Sequence, residues 1–213
     1  MPPYKTALFI FRRDLRVDDN TGLLSALNNA RTVIPCFIFD PEQIKPHPYR
    51  SDSGLYFLVE SLRDLESQLK ARGGTLHICL GKPKEVVDSL IKKFNVEAVY
   101  LNRDYTPFSI NRDLAIEYAC KKQGVFFHSL SDALLNEPED IKKKDGGVYT
   151  VFTPFFNKAL DLPVLEPQKN RLKNYFNGKI LSLPDPIYKN VLSDSALKPL
   201  KRGRKKSGVR HSF

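Results

Sequence analysis

Five short apolar runs, each followed by a stretch of helical periodicity, constrain this chain more than any other feature. Thr6–Phe11 reads as a strand, and Asp19-Asn20-Thr21 then offers capping side chains ahead of a helical run from Gly22 to Ala30. Thr32–Phe39 is a second strand, with Val33, Ile34, Cys36, Phe37 and Ile38 so continuously apolar that both of its faces must be covered. Leu55, Leu58, Leu62, Leu65 and Leu69 recur at spacings of three and four, charged residues lie between them, and Gly73-Gly74 stops the helix they define. Leu76–Leu80 is a third strand; Gly81-Lys82-Pro83 turns it into a helix carrying Val86, Val87, Leu90, Ile91 and Phe94 on one side. Glu97–Leu101, a helix over Pro107–Lys122 that ends at Gly124, and a strand over Val125–Leu130 complete the series. Strands that alternate with helices cannot be joined by hairpins, so the prediction is an α/β domain with a doubly wound, five-stranded parallel sheet over residues 1–131.

Beyond Ser131 the periodicity fails. Prolines and the pair Gly146-Gly147 punctuate residues 132–197, leaving short helical patches at Phe155–Leu160 and Asn170–Phe176, which reads as a linker or arm draped over something else. A basic tail follows over 198–213. The chain of 213 residues carries a net charge of +10, but seven of its 34 basic residues sit between Lys198 and Arg210. The remaining 27 nearly balance the 24 acidic ones, so the basic character belongs to the tail rather than to the body. Lys201-Arg202-Gly203-Arg204-Lys205-Lys206 would support weak, salt-sensitive, non-specific DNA contact, although no aromatic residue interleaves it as a base-stacking platform requires.

No apolar run approaches the roughly 20 residues of a membrane span, and Met1-Pro2-Pro3-Tyr4-Lys5 leads directly into a strand. The expectation is a soluble cytoplasmic protein with no membrane contact. Cys36, Cys79 and Cys120 lie singly in apolar or helical stretches, as buried reduced fillers do. His47, His77, His128 and Ser129 show no nucleophile–base spacing, and the two histidines inside strands are expected to be hydrogen-bonded structural residues. Gly81-Lys82-Pro83 lacks the glycine spacing of a phosphate-cradling loop.

Charge gathers where a parallel sheet builds its sites. The first strand breaks at Phe11 into Arg12-Arg13-Asp14-Leu15-Arg16, Asp40 follows the second strand and Asp104 the fourth, so all three reach the same carboxyl edge. The guanidinium groups suit an anionic ligand; Asp14 and its arginines would equally form a structural ion-pair network. Asp40 before Pro41 would open a turn, and Asp104 could cap the following helix. Phe37, Phe39, Tyr100 and Tyr105 supply aromatic surface nearby, for stacking on a planar ring or for the core.

Several ordered motifs resemble one family. Arg12-Arg13-Asp14-Leu15-Arg16 with Asp19-Asn20, Cys36-Phe37-Ile38-Phe39-Asp40-Pro41, Phe57-Leu58-Val59-Glu60-Ser61-Leu62, Asn102-Arg103-Asp104-Tyr105-Thr106-Pro107-Phe108-Ser109 and Tyr149-Thr150-Val151-Phe152-Thr153-Pro154-Phe155 are similar to DNA photolyases and cryptochromes, over about Ala7 to Leu160. In that family this region is a Rossmann-like antenna domain holding a light-harvesting chromophore, and FAD is carried by a separate helical domain with a tryptophan electron chain. This chain is less than half the length of such proteins and contains no Trp. The resemblance therefore implies a truncated gene, a frameshift product or a fragment of a deoxyribodipyrimidine photo-lyase. It would bind an antenna chromophore but not FAD by itself, would not repair DNA alone, and would pair with a separate FAD-binding domain if it is to act as a lyase. A plain nucleotide- or nucleic-acid-binding module is the alternative.

The resemblance also suggests Arg13, Phe37, Ile38, Asp40, Gly54, Asn102 and Asp104 as chromophore contacts, with no catalytic residue and no metal. Deazaflavin-binding relatives use the residues matching Arg13, Phe37 and Asp104, together with an arginine where this chain has Gly54. Folate-binding relatives carry an Asn-Glu pair where Phe108-Ser109 stands. Deazaflavin is thereby favoured, with flavin mononucleotide or folate as alternatives. If the linker's usual partner is missing, Val151, Phe152, Phe155 and Phe156 should form an exposed apolar patch.

Overall fold

A computed structural model describes residues 1–45 and 51–178. Five strands, β1 (Tyr4–Phe11), β2 (Ala30–Phe39), β3 (His77–Leu80), β4 (Ala98–Asn102) and β5 (Phe126–Leu130), form one parallel sheet in the order β3-β2-β1-β4-β5. The helices are α1 (Thr21–Asn29), α2 (Pro41–Ile44), α3 (Asp52–Ala71), α4 (Pro83–Phe94), α5 (Pro107–Lys122) and α6 (Phe152–Leu160). This is the doubly wound α/β architecture predicted above. The first two strands begin earlier than their apolar runs, at Tyr4 and Ala30.

Alternation along β1 explains why Ala7 to Phe11 is apolar without a break. Ala7, Phe9 and Phe11 face the layer of α1 and α3, where Leu23 and Leu27 meet Leu55, Val59, Leu62, Leu65 and Leu69. Leu8 and Ile10 face the opposite layer, where α4 and α5 contribute Val87, Leu90, Ile91, Ile116 and Cys120. A strand covered on both faces has no polar side to show. Both α1 and α3 serve the crossovers on one side of β1, and α4 and α5 those on the other. The winding direction therefore reverses between β1 and β4, and a crevice opens above their carboxyl ends.

Helix boundaries follow local chemistry. Asn20 caps α1 by accepting from the Leu23 amide, Ser51 caps α3 through the Gly54 amide, and Pro83 and Pro107 occupy first-turn positions that need no amide hydrogen bond. Helix α4 ends on Asn95 in the left-handed conformation, φ 48°.

The patch at Asn170–Phe176 is not a helix. It runs extended beside β2, below the point where β3 begins: the Val33 amide donates to Asn174 O at 2.9 Å and the Phe176 amide to Val33 O at 2.7 Å. An edge position left open by a short neighbouring strand outweighs the weak helical pattern. Asn170 donates to Val17 O and to the Tyr175 hydroxyl, Asn174 donates to Leu27 O and Ala30 O, and Tyr175 joins the core of the α1/α3 layer. The described end of the arm is thus fastened to the α/β domain itself.

Tyr175 comes close enough that a Cβ built on Gly74 would lie 2.7 Å from its Cβ. Gly74→Ala should therefore destabilise the domain by about 2 kcal/mol in urea denaturation, because the strap must shift. On a Tyr175→Ala background the same change should cost nearly nothing, a non-additivity expected only if these two residues collide.

Candidate functional site

The loop after β1 is held by a buried amide–carboxylate network. Asp14 Oδ1 accepts from the Arg12 amide at 2.7 Å and its Oδ2 accepts from Asn102 Nδ2 at 2.5 Å. Asn102 also donates to Asn20 Oδ1 at 2.9 Å, and its own Oδ1 accepts from the Gly22 amide at 2.8 Å. Gly22 has no room for a side chain, since a Cβ would sit 2.4 Å from Asn102 Oδ1. Asn102 spends its amide on these three bonds, so its role here is to lock β4 to the loop.

The arginines of that loop take separate partners. Arg12 Nη1 donates to both Asp113 carboxylate oxygens, at 2.6 and 2.7 Å, and Arg16 pairs with Asp132 at 2.9 Å. Arg13 alone among the three stands mostly in solvent, with its Nε 3.6 Å from Asp104 Oδ2 and its side chain 78% exposed. The ion-pair network expected between Asp14 and its arginines is not formed: Asp14 bonds backbone and asparagine amides, and the three arginines pair instead with Asp113, Asp104 and Asp132.

A cavity of about 280 Å³ lies over the ends of β1 and β2, walled by α3, α5 and the first turn of α4. Five candidates from the sequence line it: Arg13, Phe37, Ile38, Asp40 and Asp104. Gly54 does not; it sits exposed in the first turn of α3, where its amide meets the Ser51 cap. Asn102 lines instead a second, more open cleft on the β4 side, which shares Arg12, Arg13 and Asp104 with the first. Phe39 and Tyr100 belong to the core, while the Tyr105 hydroxyl bonds Glu137 at 2.5 Å in that second cleft.

Other lining residues were not anticipated. Phe57, Leu58 and Ser61 come from α3, Pro83 from α4, and Ser109, Arg112 and Ile116 from α5. Their signal was the three- and four-residue spacing of Ser109, Arg112 and Ile116, which places them on one helix face just after Asp104.

Asp40 caps α2 by accepting from the Glu42 amide at 3.0 Å, the turn that Pro41 suggested. Thr106, not Asp104, caps α5. Asp104 accepts from the Tyr105 amide and the Ser109 hydroxyl, both at 2.8 Å. Burial works to raise its pKa, but Ser109, the Arg13 charge, the Tyr105 amide and Arg12 outweigh it and hold the carboxyl below its ordinary 3.8.

The remaining candidates are structural. His128 bonds the Tyr4 hydroxyl at 3.1 Å and stacks on Tyr100. His77 departs from expectation: its Nε2 is buried without a partner, and burial lowers its pKa to about 4, leaving it neutral. Cys36 and Cys79 are buried and free but not solitary, their sulfurs 4.0 Å apart across β2 and β3. Among the described residues no cluster of three or more His, Cys, Asp or Glu could hold a metal, and no helix is long and apolar enough to cross a membrane. His47 and the basic tail lie outside the described residues.

The family model for DNA photolyase matches residues 7–171. This chain belongs to the DNA photolyase family. It is 31% identical over 188 residues to the deoxyribodipyrimidine photo-lyase of Agrobacterium fabrum, covering 80% of this chain and 38% of that one. An uncharacterized 31.6 kDa protein of Synechococcus sp. strain PCC 6716 is 32% identical over 164 residues, 77% of this chain and 57% of that one. The crystal structure of the archaeal photolyase from Sulfolobus tokodaii, described with two FAD molecules and a novel light-harvesting cofactor, superposes with a TM-score of 0.76 at 35% identity. That match takes in 93% of this photolyase-family chain and 44% of the archaeal one. The chain thus spans between about two fifths and three fifths of the length of these relatives.

Two measurements check the reading of the site. Asn102→Ala should cost about 2–3 kcal/mol of stability in chemical denaturation, because it strands the Gly22 amide and Asp14 together. A carboxylate whose folded pKa is depressed adds stability above its unfolded pKa and loses it as pH falls through the folded value. Wild-type stability should therefore drop more steeply than that of Asp104→Asn as pH is lowered below about 4.

Proposed function

We propose that this chain is a photolyase-type antenna domain that holds a planar, flavin-type chromophore in the cavity over β1 and β2 and has no DNA-repair activity alone. The observation that carries the reading is the cavity itself, in a chain of the DNA photolyase family. Phe37, Ile38, Phe57, Leu58, Pro83 and Ile116 give it apolar walls, and Arg13, Asp104, Ser109 and Arg112 bring a few polar groups to its rim and floor. This is how small-molecule sites are built: apolar area supplies affinity and a few convergent polar groups fix orientation. Its volume is close to the ~300 Å³ at which ligand pockets begin, enough for a ring system with a polar tail left outside.

The fit is tested by an orphan: Arg112 Nη2 is buried with no hydrogen-bond partner, a donor that an acceptor-bearing ring edge would satisfy. Bound there, the chromophore would absorb near-ultraviolet or blue light and pass the excitation to an acceptor. The protein's own part is then passive. Phe37 and Phe57 stack or pack against the ring, Arg13 and Asp104 orient it from opposite charges, and the apolar walls exclude water. Deazaflavin and flavin suit this site ahead of folate, and the light-harvesting cofactor implied for the Sulfolobus tokodaii photolyase brings FAD into the set to be tried.

A second reading concerns the acceptor. Val151, Phe152, Phe156 and Leu160 on and before α6 are exposed, as are Leu135, Val164 and Leu165, all within the stretch that the family model matches; Phe155 is half-buried. So much apolar surface on one segment suits a protein partner, and a separately supplied FAD-binding domain is the one proposed. The chain would then form part of a light-dependent lyase.

Purified protein should take up deazaflavin or a flavin at about one per chain, seen as retained absorbance after desalting and as quenched fluorescence. Retention of none of deazaflavin, FMN, FAD and folate would sink the antenna reading. Light-dependent pyrimidine-dimer repair should be absent from the chain alone and should return only on co-purification with an FAD-binding domain.

A further inference from the structure

We propose that Arg112 is the residue that selects the ligand of the cavity over β1 and β2, by donating to an acceptor-rich or anionic ring edge such as the dioxopyrimidine edge of a flavin or deazaflavin. The inference rests on the chromophore reading above and names the chemistry that the site would recognise.

Three arginines, Arg12, Arg13 and Arg112, line the cavity together with Asp40 and Asp104. Asp40 accepts from the Glu42 amide, and the arginines' ion-pair partners are Asp104 and Asp113. Asp113 is already taken by both of its contacts with Arg12, and Asp104 by Ser109, the Tyr105 amide and Arg13. Arg112 is left with one hydrogen bond, Nε to Asp113 Oδ1 at 3.1 Å. Its Nη2 stands 4.0 Å from Asp104 Oδ2, too far for a hydrogen bond, and has no other partner. Its Cζ lies 6.0 Å from the centre of the Phe108 ring, at the limit of a cation–π contact.

A guanidinium whose side chain is only 13% exposed and whose Nη2 has no hydrogen-bond partner costs the folded protein free energy. The cost shows in its titration, because burial and the neighbouring Arg12 charge both lower the Arg112 pKa. Arg12 Nη2 is buried without a partner too, but Arg12 holds both Asp113 oxygens through Nη1, whereas Arg112 makes a single, longer bond to that carboxylate. A ligand acceptor would complete Arg112 where the protein's own acids do not. Its place on the same helical face as Ser109 and Ile116, both in the cavity wall, brings it to the ligand. An arginine at this position favours acceptors over donors, since guanidinium has five N–H groups and accepts nothing.

The test compares wild type with Arg112→Gln and Arg112→Lys, using riboflavin, a deazaflavin and a folate as probes, with apo stability measured alongside. For Arg112→Gln we expect riboflavin and deazaflavin binding to weaken at least ten-fold, the absorption maximum of any bound flavin to shift, and the melting temperature of the apo protein to stay level or rise. Arg112→Lys, which keeps the charge but not the fork, should recover part of the affinity. Wild-type binding that Arg112→Gln leaves unchanged overturns the assignment while leaving the antenna reading intact. A fall of several degrees in apo melting temperature, not reversed by lysine, would also overturn it by showing a structural ion pair. Failure of wild type to bind riboflavin or deazaflavin overturns this assignment; failure with FMN, FAD and folate as well removes the antenna reading too.

Discussion

The hydrogen bonds among Asp14, Asn20 and Asn102 are the constraint on which the rest of the site depends. They join the loop after β1, the cap of α1 and the last residue of β4, the three pieces that meet where the sheet reverses its winding. Nothing in hydrophobic packing would fix the path of residues 12–20, which carries six charged groups past the end of a buried strand. Directional bonds to buried amides do so, because each group left unpaired would cost about 1–3 kcal/mol. Once Asp14 is anchored, Arg12 is directed down to Asp113 on α5, Arg16 across to Asp132, and Arg13 out over the cavity. One short loop therefore contributes both the clamp that holds the crevice and the cation that guards it.

The same arrangement explains why charge is tolerated at the end of a sheet that is otherwise apolar on both faces. Asp113 holds Arg12 through two bonds to Nη1, and Asp104 is kept ionised by a hydroxyl, an amide and two arginines despite its partial burial. Two carboxylates are thus satisfied, while Arg12 and Arg112 each keep one buried nitrogen without a partner and Arg13 stands mostly in solvent. The cost at this site is carried by guanidinium groups with too few acceptors.

The sequence was legible where period and burial agree. All five strands, α1 and α3 to α5, and the carboxyl-edge position of Arg13, Phe37, Ile38, Asp40 and Asp104 could be placed because a doubly wound sheet converts strand order into geometry. Gly54 and Asn102 were drawn toward the chromophore by their motifs, yet folding places one on an exposed helical turn and the other in the clamp. Arg112 was missed for the converse reason. Its neighbourhood reads as an ordinary charged helix, and only the fold reveals that Arg12 has taken Asp113 and leaves Arg112 with a single bond. Partner exhaustion of this kind is a three-dimensional property. Local periodicity also misjudged Asn170–Phe176, where the free edge of β2 offered backbone partners that a short helix could not match.

The fastening of that segment bears on what the domain can be by itself. Tyr175 fills the notch at Gly74, Phe176 packs on His77 and Phe94, and Asn170 and Asn174 close backbone groups of the Val17 loop and α1. Residues 168–176 thus complete the hydrogen bonding of an edge that β3, only four residues long, leaves open. Apolar side chains stay exposed along the stretch between Leu134 and Leu165, Ile141 excepted, and also at Leu114, Tyr118 and Phe126 on α5 and β5. Among the described residues the β3 edge is thus closed by the chain's own residues 168–176, while apolar surface stays open on α5, β5 and α6, where burial would have to come from elsewhere.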